Sequence, residues 1–197
     1  MQKPAIPKEK KGNKYSAQLF KELFIKELKY MYSAEKQALK FLQRAQKAAS
    51  TRYLKACFKG HSEASLEQVR RIEKAFDLLN EKRTARSCSE LNDLVKEAIQ
   101  TIKLTKKNTL SRDLGLIALA QKIEQFEIKK YNSLINLANE LGEIELNNLL
   151  EETLLEEQEA GEAFNAVMQD TQIDEMFKTD LIVDEGPEEE SEILEAV

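Results

Sequence analysis

A chain of 197 residues, 42% hydrophobic, with six glycines, three prolines and no tryptophan, has the length for one substantial core and almost none of the turn chemistry that a sheet needs. Its formal net charge of −5, with 33% charged residues, argues against a general nucleic-acid-binding surface and for the solvated exterior of a helical bundle. No apolar run approaches the ~18 to 20 residues of a membrane span, and the basic start is not followed by the apolar core of a signal peptide, so an all-α cytoplasmic domain is expected.

Residues 1–14, with Pro4, Pro7, Gly12 and several lysines, read as a basic mobile N-terminal tail ahead of a folded region over 15–170. The first long helix is predicted over 17–49. Its apolar stripe of Phe24, Leu28, Met31, Ala38, Leu42 and Ala45 advances in steps of four and three residues, and Glu35 stands in the middle of it. The second helix, over 52–80, carries His61, the only histidine, on a stripe with Leu54, Phe58, Gln68, Ile72 and Leu79. The interval from Asn80 to Ser111 is too long for a hairpin turn. It holds an amphipathic pattern from Leu91 to Ile102, which predicts a short crossover helix between about Ser89 and Lys103.

A third long helix, over 111–141, sets Glu124 and Glu127 on one face with Leu116, Ala120, Tyr131, Leu134 and Ala138. Gly142 suits the left-handed position that ends a helix. The fourth, over 143–169, places Glu156 between Leu149 and Thr153 on one side and Ala160 and Val167 on the other; a shift of the stripe by one residue puts Glu157 there instead. Glu152 and Glu159 read as solvated helix charges. Residues 171–197, strongly acidic and broken at Gly186 and Pro187, read as a mostly mobile tail, with cation capture or partner docking as the functional alternative. Cys57 and Cys88 lack CxxC spacing and read as ordinary reduced thiols.

Depth along the bundle joins these exceptions. Glu35, Glu124, Glu127 and Glu156 lie close to the midpoints of their helices, with His61 slightly before the middle of its own, so four packed helices send polar groups to one central layer. Glutamate is common in helices because its propensity is high, and a lone histidine on an apolar face is more often a satisfied core residue than a ligand. The coincidence of level carries the inference. Carboxylates gathered without water each face a penalty of several kcal/mol unless protons, cations or metals compensate, and no Lys or Arg is expected on these stripes nearby. Tyr131 is expected to give its hydroxyl to a carboxylate, and Gln68 to be a polar neighbour of the layer. No nucleophile with an aligned base, phosphate-binding glycine loop or zinc motif is present.

The segments YSAEKQALKFL from Tyr32, HSEASLEQVRRIEKAF from His61, LIALAQKIEQFEIKKYNSL from Leu116 and LLEETLLEEQEA from Leu149 resemble the bacterial YciF/YciE stress proteins over Leu19 to Val167. The resemblance implies a ferritin-like four-helix bundle with a crossover helix between helices 2 and 3, homodimers of bundles packed side by side, and ferroxidase-like activity. Departures from that family's pattern fall at Tyr30, Ala64, Gln125, Phe126 and Gly161, where it has other residues, an acidic one at Ala64 above all.

Hard or borderline cations take carboxylate oxygen with imidazole nitrogen, and bridging glutamates can hold two cations close together. Glu35, His61, Glu124, Glu127, Glu156 and Glu157 are therefore the candidate ligands for iron or manganese, in a di-metal site that oxidises ferrous ions or removes peroxide. The alternative is a non-catalytic binding or structural stress protein whose site is degenerate through Ala64 and Gly161. No membrane or nucleic-acid partner is expected.

Overall fold

The computed structural model describes residues 12–169, with side chains from Ala17 to Met168. Five helices follow one another: α1 Gly12–Ala48, α2 Arg52–Leu78, α3 Ser89–Leu104, α4 Leu110–Leu141 and α5 Ile144–Gln169. There is no β-strand among the described residues, and no helix there is long and apolar enough to cross a membrane. The four predicted long helices and the crossover helix are all present, with ends within a few residues of expectation. The two tails lie outside the described residues, apart from Gly12–Lys14, which open α1.

Sequence dictates the corners. Thr51 caps α2 by accepting the Leu54 backbone N–H at 3.2 Å, and the Ser50 N–H donates to Asp113 Oδ1 at 2.8 Å, which ties the α1–α2 turn to the first turn of α4. Gly142, at φ 69°, ends α4 in the left-handed conformation and turns the chain directly into α5. After α2 the chain runs back along α1, where the Arg86 N–H donates to the Lys29 carbonyl at 2.9 Å and the Arg86 guanidinium lies 5.0 Å from the Tyr30 ring centroid. Tyr30 is thus a clamp for the crossover. At the far end of α3 the Arg112 guanidinium donates to the Ile102 carbonyl at 2.8 Å and to Thr105, fixing the entry into α4.

Helix α1 packs on α2 and α4, α5 packs on α4 and α2, and α3 lies against α1 and α4. This is the bundle with a long second-to-third connection that the sequence predicts, a ferritin-like arrangement. Phe24, Leu28, Phe41, Leu42, Phe58, Ile72, Leu116, Leu134 and Leu150 fill it above and below the polar layer. Each fully buried side chain of this size contributes roughly 1.5–3 kcal/mol. That apolar packing makes room for the glutamates.

Candidate metal centre

Glu35, Glu124, Glu127 and Glu157 are at most 1% exposed, and His61 is 8% exposed. Four long helices therefore meet in one buried polar layer. His61 Nε2 lies 2.9 Å from Glu124 Oε1 and 4.0 Å from Glu157 Oε2. The His61 ring meets Phe164 edge-on, centroids 6.0 Å apart, so an aromatic contact from α5 fixes the direction in which the imidazole faces. Glu35 is held differently. Its Oε1 accepts the Tyr131 hydroxyl and its Oε2 accepts the Ser65 hydroxyl at 3.3 Å.

The last helix corrects the stripe by one residue. Leu146, Leu150, Thr153, Glu157 and Phe164 form the buried face, and Glu156 turns to the edge of the bundle with its side chain 30% exposed. Arg71 reaches across from α2 to take Glu156 in a two-pronged ion pair, at 2.7 and 2.6 Å, and also holds Glu152 at 2.9 Å. A basic residue does stand beside the layer, at the bundle edge and off the buried stripe of α2. It compensates Glu156, not the buried carboxylates. Gln68, fully buried, donates to Glu156 Oε2 at 3.1 Å and so links this edge pair to the interior.

Burial sets the electrostatics. Burial pushes the Glu35 carboxyl up to about 8, the negative charge of Glu157 adds to the rise, and the Tyr131 hydrogen bond opposes it. Glu124 rises to about 7, again mainly through burial. Glu127 and Glu157 move well above the carboxylate range, through burial first and then through their acidic neighbours. The Tyr131 phenol is raised by burial and by Glu35. Shared protons hold this layer together unless something positive replaces them.

The donor chemistry fits a divalent cation. Glu124 Oε2, Glu127 Oε1 and both oxygens of Glu157 are buried without a hydrogen-bond partner. Each such orphan costs roughly 1–3 kcal/mol, a cost that coordination removes. His61, Glu124 and Glu157 each offer one ligand atom, all within 4.8 Å of one another. Bonds of about 2.0–2.2 Å place donors on one ion no more than about 4.4 Å apart, so a contraction of a few tenths of an ångström completes the set. Glu35 and Glu127 flank this group in the same layer and act on it through charge. Ser65 and Arg71 were the contributors that stripe reasoning passed over. Ser65 had a signal, since it lies seven residues from both Phe58 and Ile72 on the buried face of α2.

Residues 19–176 match the family model described as a domain of unknown function, DUF892. Protein YciF of Escherichia coli (strain K12) is 38% identical over 137 residues, which covers 69% of this chain and 82% of that relative. The crystal structure of the E. coli stress protein YciF superposes with a TM-score of 0.71 at 35% identity, covering 76% of this chain and 94% of the other. The structure of YcfI from Rhodopseudomonas palustris gives a TM-score of 0.72 at 31% identity, with 75% and 94% covered.

Proposed function

The chain belongs to the DUF892 family of YciF-like stress proteins, and on that premise we propose that it binds iron or manganese through His61, Glu124 and Glu157, with Glu35 and Glu127 available to a second cation. When bound, the metal supplies the redox chemistry: electrons leave ferrous ions, as substrate, and pass to dioxygen or peroxide. The observation that carries this reading is Glu157, whose two carboxylate oxygens lie buried and unpartnered beside a histidine and a second glutamate. A proton shared between Glu124 and Glu157 serves one of these oxygens, whereas a cation can take both.

The chain's own residues have separable tasks. His61, Glu124 and Glu157 supply one neutral nitrogen and two carboxylates, a donor set matched to a divalent charge. Tyr131 and Ser65 orient Glu35 by two hydrogen bonds, so that its oxygens stay in the layer. Arg71 withholds Glu156 from the centre by pairing with it. Ala64 faces a groove of about 300 Å³ beside His61, and the space there accommodates a longer side chain. The homodimer and the cytoplasmic setting expected from the resemblance belong to the same proposal.

The competing reading is a structural stress protein whose layer is held by protons, and the raised pKa values of Glu35 and Glu124 favour it. Anaerobic ferrous titration of metal-free protein separates the two. Wild type should bind ferrous ion, Glu124→Ala should lose at least about tenfold in affinity, and Ala64→Glu should gain stoichiometry or affinity through an added ligand one turn from His61. Admission of dioxygen or peroxide should then produce ferric absorption in step with bound iron. Equal and negligible binding by all three leaves the proton-held layer as the answer.

A further inference from the structure

Gly161 is an unexplained weakness in α5. Glycine is the poorest helix former after proline, yet this one sits inside a 26-residue helix. No close approach requires it. A Cβ built there meets Glu124 Cβ at 3.7 Å and Ile128 Cδ1 at 3.8 Å, both ordinary van der Waals contacts. Its backbone is not among the positive-φ glycines of the chain. What the missing side chain does leave is a cleft of about 390 Å³ between α4 and α5, walled by Gly161 and reaching Glu124.

The cleft has a chemical bias. Its polar wall is made of Gln121, Gln125, Gln158 and Asn165, with Glu162 on the exposed side and Glu124 at the buried end, and no basic residue lines it. Amide carbonyls and carboxylates can replace the hydration water of a hard cation, and the carboxylates at the two ends of the cleft, Glu124 and Glu162, repel an anion that the amide N–H groups alone would accept. Gln121 bridges the cleft by donating to Asn165 Oδ1 at 2.9 Å, which holds α4 and α5 at a fixed separation there. Glu124 belongs at once to the wall of the cleft and to the His61–Glu124–Glu157 group, and its Oε2 is buried without a partner. The groove on the other side of α5 reaches His61 and carries Glu156 and Glu159, but Glu156 is taken by Arg71. The rest of its wall, Cys57, Gly60, Ala64, Ala160, Ala163 and Phe164, offers no side-chain amide, so it is the competing route from which uptake through the cleft must be separated.

We propose that the α4–α5 cleft at Gly161 is the port through which a hydrated divalent cation reaches Glu124, with Glu162 as the charged residue at its mouth. This rests on the metal-binding reading and adds to it a route and a specificity for cations. Amide carbonyls of the wall would stand in for the ion's water along the route, Glu124 would be the first buried carboxylate met, and Glu157 and His61 would be the further ligands beside it.

The test is the rate at which metal-free protein takes up cobalt(II), followed by the absorption of the bound ion under stopped flow, with final stoichiometry measured separately. Gly161→Met should slow uptake by roughly tenfold or more without changing the stoichiometry, because the side chain fills the cleft and not the ligand group. Gly161→Ala should change the rate by less than about twofold. Glu162→Lys, at an exposed position, should slow uptake by roughly threefold at low salt and by little at high salt, where surface charge is screened. Ala160→Met, in the opposite groove, should leave the rate at the wild-type value. Uptake by Gly161→Met and Glu162→Lys at the wild-type rate overturns the port while leaving the metal site intact, as does slowing confined to Ala160→Met. Absence of cobalt uptake by wild type overturns both the port and the metal reading.

Discussion

Glu157 and Glu156 are neighbours in sequence with opposite fates, and the difference lies in their partners. Glu156 gives both oxygens to Arg71 at the bundle edge, while Glu157 is buried with neither oxygen satisfied. Replacing Glu157 by Gln should leave the metal-free protein within about 1 kcal/mol of wild type, since the amide keeps the shape of a carboxyl group that burial already favours in its neutral, protonated form. The same change should abolish most of the rise in thermal midpoint that saturating manganese gives wild type, as read by differential scanning calorimetry. Tyr131→Phe acts on the other flank. It strips Glu35 of its strongest donor, and a cost of roughly 1–3 kcal/mol in denaturant unfolding is expected. Periodicity made Glu35, Glu124, Glu127 and His61 legible, because a polar group in a 3.6-residue apolar stripe is visible without a structure. It could not decide between Glu156 and Glu157. That choice depends on Arg71, a partner 85 residues away on another helix.

Among the helix ends, Gly142 was legible as the left-handed stop of α4, while the Thr51 cap of α2 was not read and α1 begins five residues before the expected 17. The crossover helix was readable from its own amphipathic pattern. The path from α2 to α3 was not readable, because it is set by the Arg86 contacts with Lys29 and Tyr30, which join segments far apart in the chain. Two glycines make opposing predictions at this scale. Gly142→Ala forces a side chain into the left-handed region and should destabilise by about 1–2 kcal/mol. Gly161→Ala places a methyl in ordinary contact within a helix and should stabilise by about 0.5–1 kcal/mol. Chemical denaturation of both variants in chelator checks the signs directly.

Across the whole molecule, the buried layer couples folding to protons. Glu35 and Glu124 have folded-state pKa values of about 8 and about 7, raised above the ordinary 4.5. Between those limits the folded chain binds more protons than the unfolded one, so the stability they contribute is full below about pH 4.5 and is lost as pH rises through 7 to 8. In chelator the thermal midpoint should fall from pH 5 to pH 8. A divalent cation replaces the protons and should reverse much of that fall, most strongly at the alkaline end. The bundle thus has two ways to neutralise its centre, protons and, on the proposed function, a divalent metal. The most direct test is the metal content of protein purified without chelator, wild type beside Glu157→Gln. If the layer binds metal, wild type should carry iron or manganese at roughly one ion per chain or more, and the variant a small fraction of that. Negligible metal in both, or the same content in both, would contradict the metal-binding reading.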